Sequence, residues 1–249
     1  GYNNAIGRNA MANNTTGARN IAIGHGAYYA SDTENDNIAI GYGAMTTNTA
    51  GGTLNIAIGN YAMDAHTSGD QNTAIGHNAL SANTTAENNT AVGVNALLTN
   101  DGSNNTAVGV HSLKLNTTGT QNVAVGHNAL TANTTASQNT AVGQESLKAN
   151  TTGTANVAVG AEALKANTTA EYNTGIGAYA LTAATTGSYN TALGRSAGLA
   201  ITTGARNVAI GTDSLKAVTT QENNTAVGTN ALASNTNDDN TAVGRSALT

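Results

Sequence analysis

The chain has 249 residues, with no Pro, Cys, Trp or Phe, only 9% charged residues and a formal net charge of −5. Without cysteine there is no disulfide framework and no cysteine zinc site; the acidic balance leaves no basic footprint for nucleic acid. No run of about 18 apolar residues is present to cross a membrane, and few bulky side chains are available for a globular core.

The first motif, Asn3-Asn4-Ala5-Ile6-Gly7, returns along the whole chain, in its cleanest form as Asn105-Thr106-Ala107-Val108-Gly109. Its closing glycine recurs fifteen times, in steps of 17 residues with one of 18 and two of 16. A short fixed period over the full length marks a solenoid and overrules the low-complexity, disordered reading that composition alone invites. Residues 1–249 read as a single repeat array. The array starts and stops inside a repeat without capping units, as a fragment of a longer fibre would.

Within the motif, Asn stands four residues before the glycine in all fifteen copies, and the residue two before it is Ala in fourteen, Gly175 being the exception. Thr, Val or Ile flank that Ala, so the three residues predict a short strand. Side chains alternate between faces along a strand, so Val123 and Val125 share one face and Ala124 the other. The branched residues are expected inside the coil. The Ala column, with Ala91, Ala107, Ala124, Ala141 and Ala158, is then expected on a dry face between chains. The Asn column, with Asn89, Asn105, Asn122, Asn139 and Asn156, predicts a stacked carboxamide ladder. The glycines, such as Gly93, Gly109, Gly126, Gly143 and Gly160, predict a tight turn at positive φ.

After the glycine come two variable residues, then a small residue and Leu, as in Ala129-Leu130 and Ser146-Leu147. Alternation predicts a second strand with one face wet, closed by a Thr-rich turn. The expectation is an all-β, parallel β-solenoid of about fifteen coils, two strands each. In the coil from Arg195 to Thr203 the usual Leu is Gly198, followed by Leu199 and Ile201. A glycine bulge returning Leu199 to the interior is the expectation there, and Ala184, Ile201 and Val218 predict a weak apolar surface patch where they interrupt an Asn column.

The repeated Asn-x-Ala-Ile/Val-Gly followed by a small-residue pair resembles the head repeats of trimeric autotransporter adhesins (YadA-type heads). The 17-residue form, as in the run from Asn122 to Thr135, also resembles repeat arrays of phage tail-fibre proteins. This resemblance covers the whole chain and implies a β-roll, left-handed in those heads, within a homotrimer. It implies an extracellular setting, a virion tail fibre or a bacterial surface, and carries no catalytic or ligand residues. The adhesin repeats are shorter.

No cofactor is expected. The histidines His25, His66, His77, His111 and His127 lie in different coils and read as turn residues on a solvated surface. Asp238-Asp239 beside Asn237 and Asn240 offers oxygen ligands for calcium, with a solvated loop as the bland alternative. Asn133-Thr134-Thr135 fits a glycosylation sequon but is accounted for by the repeat. Lys148 and Lys165, near Glu145 and Glu162, read as a solvated charge cluster. Tyr172 and Tyr189 fall at one position in consecutive coils, and Tyr28, Tyr29, Tyr42 and Tyr61 crowd the early ones; exposed, they read as surface decoration or as contacts for a host-surface glycan or protein. No nucleophile, base or metal site recurs, so an enzyme is not expected. Two functions remain: a structural and adhesive trimeric fibre segment, or a surface-binding solenoid such as an ice-binding protein.

Overall fold

The computed structural model describes residues 1–49 and 51–249, which form two compact units, Gly1–Gln121 and Asn122–Thr249. The first unit contains β1 (Asn4–Ile6), β2 (Ile21–Ile23), β3 (Ile38–Ile40), β4 (Ile56–Ile58), β5 (Thr73–Ile75), β6 (Thr90–Val92) and β7 (Thr106–Val108). The second contains β8 (Val123–Val125), β9 (Thr140–Val142), β10 (Val157–Val159), β11 (Thr174–Ile176), β12 (Thr191–Leu193), β13 (Val208–Ile210), β14 (Thr225–Val227) and β15 (Thr241–Val243). Inside each unit, successive strands pair in parallel and in register: Ala39 lies opposite Ala57 in the first, Ala141 opposite Ala158 in the second. Each unit is thus a parallel β-solenoid with about 17 residues per turn and, among the described residues, no helix.

The faces of the strand are the reverse of those expected. Ala91, Ala107, Ala124, Ala141 and Ala158 are fully buried within their own chain, so the Ala column lines the coil interior and meets no partner. The flanking Thr, Val and Ile point outward and stay partly or fully exposed, as in β7, β8 and β12. The width of the coil explains the reversal. At Gly175 an added Cβ would sit 3.4 Å from Cγ and Cδ1 of Leu164 and 3.3 Å from the Ala180 carbonyl oxygen. A methyl group just fits opposite the Leu column, and a branched side chain does not.

The expected second strand is also absent from the described residues. The stretch after the glycine is a run of turns in which residues at left-handed φ recur at every second position, for example Asn128 at 58° and Leu130 at 51°. Strand alternation no longer applies, and the consecutive residues Ala129 and Leu130 are both fully buried. Backbone bonding still runs from coil to coil: Leu130 N–H donates to Ser146 O at 3.0 Å and Ala132 N–H to Lys148 O at 3.1 Å. Leu80, Leu97, Leu113, Leu130, Leu147 and Leu164 fill the interior opposite the alanines, and in the earliest coils Tyr28, Met45 and Met63 take their place. Tyr28 is therefore a core residue, its hydroxyl accepting from Asn37 and Asn48 at 2.6 and 3.2 Å.

Asparagine makes up the rest of the interior. The Oδ1 of Asn122 accepts the backbone N–H of Asn139, and the Oδ1 of Asn139 that of Asn156, both at 3.0 Å. The carboxamide nitrogen reaches across the lumen to a turn carbonyl, Asn139 Nδ2 to Gly153 O at 2.9 Å and Asn156 Nδ2 to Ala170 O at 2.8 Å. In the first unit Asn105 N–H donates to Asn89 Oδ1 at 2.9 Å. The ladder thus runs mainly through the main chain, which satisfies donors that the turns would otherwise strand.

A second buried Asn column stacks more directly, with Asn150 Nδ2 donating to Asn133 Oδ1 at 3.0 Å and Asn167 Nδ2 to Asn150 Oδ1 at 2.7 Å. It is interrupted where Ala184, Ile201 and Val218 take its place, and Asn167 Oδ1 is left buried without a hydrogen-bond donor. Those three apolar residues are fully buried, so they form no surface patch. Nor is there a bulge at Gly198. Gly198 keeps the left-handed backbone of the Leu it replaces, at φ 61°, and Leu199 stays half-exposed. A Cβ at Gly198 would lie 2.9 Å from Leu181 Cδ2 and 3.0 Å from Ile201 Cδ1. Neighbouring side chains, Ile201 among them, have filled the space, which removes the drive to shift register.

Candidate interaction surface

The outward strand face is the broadest feature built by the repeat. In each unit the residue before the column glycine is always aliphatic: Ile6, Ile23, Ile40, Ile58, Ile75, Val92 and Val108 in the first, Val125, Val142, Val159, Ile176, Leu193, Ile210, Val227 and Val243 in the second. Ile75 is 38% exposed, Val108 37% and Leu193 47%. The row beside it mixes Ile, Val and Thr after Asn4 in the first coil, and neither row carries a charge. Within each unit, parallel in-register pairing makes two continuous columns from these residues, because each strand repeats its neighbour's face.

Two aromatic groups decorate other positions. Tyr172 and Tyr189 stack with ring centroids 5.2 Å apart and planes 10° from parallel, and both are more than half exposed. In the first unit His25 and Tyr42 stack at 5.2 Å and 9°, and Tyr42 meets Tyr61 edge-on at 5.3 Å. The charge cluster is a connected network: Glu145 binds Lys148 through Oε1 and Lys165 through Oε2, both at 2.8 Å, and Lys165 also binds Glu162 at 3.1 Å. Hydrogen bonds from Lys148 and then Lys165 hold the Glu145 carboxyl down at about 2.

His66 departs from the expectation for the histidines, since it is fully buried in the second Asn column. One ring nitrogen, Nε2, donates to Gly69 O at 2.8 Å, while Nδ1 accepts from Asn83 Nδ2 at 3.1 Å. Asn83 also donates to Ala86 O at 3.1 Å, which fixes its amide orientation and selects the neutral ring. Burial pushes His66 below its ordinary 6.5, against weaker opposing pulls that include Asp70 and Asp101. The unfolded chain then binds the proton more readily than the folded one, so stability is full above about pH 6.5 and falls as pH drops through that value toward the folded pKa. The urea midpoint is expected to fall between pH 7.5 and pH 5, and His66→Asn, which restores the column residue, is expected to flatten that fall. An equal fall in both proteins would show that His66 does not set it.

Among the described residues no group of three or more His, Asp or Glu side chains is placed to hold a metal ion, and no helix is long and apolar enough to cross a membrane. Asp238 Oδ1 instead accepts the backbone N–H of Glu222 at 2.8 Å. The sequon residue Asn133 is fully buried, its Nδ2 donating to Ala136 O at 3.0 Å. Comparison with protein-family models, curated proteins and solved structures finds no match to this chain.

Proposed function

We propose that the chain is a structural and adhesive fibre segment in which three copies associate through the outward strand face. The observation that carries this reading is the uncharged aliphatic column on that face. Monomeric proteins rarely leave a contiguous apolar patch of such extent in water, and burying it against like faces gains roughly 25 cal/mol per Å². The role that follows is mechanical: spacing or presenting a contact with a host-surface glycan or protein, outside the cell, on a virion tail fibre or a bacterial surface. It calls for no cofactor and no catalytic residue.

Mass in solution by sedimentation equilibrium tests it. A trimer is expected for the native chain. The pair Val142→Lys and Val159→Lys is expected to weaken association by about tenfold or more, on the order of 1.4 kcal/mol, while far-ultraviolet circular dichroism stays unchanged. A monomeric native chain, or a trimer indifferent to both lysines, overturns the reading.

A second reading is favoured by Thr140, Thr174, Thr191 and Thr225, which stand outward on the same regular face. A surface-binding solenoid such as an ice-binding protein would use it exposed. The neighbouring column has no hydroxyl in any of its residues, which places this reading second. A monomer showing thermal hysteresis would reverse the order.

A further inference from the structure

Two glycines open a groove in the first unit. The position two after the column glycine carries a side chain in thirteen coils, but Gly26 and Gly43 in two successive ones. The backbone does not demand glycine there. Gly26 and Gly43 have φ of 67° and 61°, whereas Asn78, Asn95, Asn128 and Asn230 take that turn at 54–58°. What glycine provides is space. Nothing lies within 4 Å of a Cβ built on Gly26, and a Cβ on Gly43 would press to 3.2 Å on the Tyr61 ring.

Aromatic residues surround this space. Tyr29, Tyr42 and Tyr61 are 39%, 48% and 41% exposed and line a groove of about 280 Å³ with His25. That volume stands near the lower end of small-ligand sites, about 300–1,000 Å³. Its polar rim is neutral: Asn9 and Thr46 contribute an amide and a hydroxyl, and no Asp, Glu, Lys or Arg lines it. Thr46 Oγ1 donates to Gly43 O at 2.6 Å, so toward a ligand the hydroxyl can act only as an acceptor.

Wide ring surface with uncharged hydrogen-bonding groups at the edge matches a ligand having apolar C–H faces and a rim of hydroxyls. We propose that the groove between His25, Tyr29, Tyr42 and Tyr61, floored by Gly26, binds a neutral hexopyranose unit of a glycan. Every lining residue comes from one chain and none belongs to the outward strand columns, so the site does not depend on how copies associate.

The test probes the labelled native chain on an array of neutral, sialylated and sulfated glycans, followed by titration of the strongest neutral binder. Binding to at least one neutral glycan is expected. Tyr42→Ala, which removes the central ring, and Gly26→Asn, which fills the notch, are each expected to weaken it by about tenfold or more. Gly26→Asn keeps the fold, since Asn serves that turn in other coils, so it decides the matter if Tyr42→Ala misfolds. Tyr179→Ala, at an exposed tyrosine of the second unit outside the stacked pair, is expected to bind as the native chain does. Binding to charged glycans only, binding to none, or native affinity in Gly26→Asn overturns the proposal.

Discussion

Gly143→Ala is expected to destabilise the second unit by about 3 kcal/mol or more, since backbone strain and a main-chain clash add. Gly143 has φ 134°, and its Cβ would stand 2.5 Å from the carbonyl oxygen and 2.6 Å from the carbonyl carbon of Gly160. Those atoms are main chain in the adjacent coil and are held there, with Gly160 N–H donating to Val142 O at 2.7 Å. Relief would separate two coils and break their ladder. Gly26→Ala is the control, because its Cβ meets nothing within 4 Å; left-handed backbone alone costs Ala roughly 1–2 kcal/mol. Urea denaturation of both variants checks the difference. Equal losses would mean that the close approach of the coils contributes nothing.

Asn139→Ala is expected to cost about 1–3 kcal/mol, because it strands one buried main-chain N–H. The Asn156 N–H would lose its acceptor at 3.0 Å, while the Gly153 carbonyl would lose one donor at 2.9 Å and keep Asn150 Nδ2 at 2.9 Å. Both groups lie in a lumen closed to water, since Asn139 and Asn156 are fully buried. Thr140→Ala, on the outward face of the same strand, is expected to stay within about 0.5 kcal/mol. Denaturation midpoints of the two variants measure the contrast. If Asn139→Ala melted with Thr140→Ala, the hydrogen-bonded column would not be what holds the coils in register.

The repeat made the period, the strand position and the Asn and Gly columns legible, because each recurs at a fixed offset that local chemistry explains. Residues whose role depends on local width are not legible in that way. Leu130 and Ala129 suggested strand alternation, yet left-handed backbone at Asn128 and Leu130 turns both side chains inward. Tyr28 and His66 resembled surface decoration and instead substitute for core Leu and Asn. Of the groove, the Tyr residues were visible in the sequence. Its floor was not, since a glycine that leaves space and a glycine that serves a turn look alike until neighbouring atoms are placed.

By itself the sequence determined that the strand has two faces and that Asn, Ala and Gly occupy fixed columns, because period-two alternation is a property of the extended chain. Which face is inside was decided only by closing the coil. The Leu column comes across the lumen to within about a methyl's reach of the strand, as the contacts waiting at Gly175 show. Ala fits that gap and Ile or Val does not, so packing turns the larger apolar residues out to the surface.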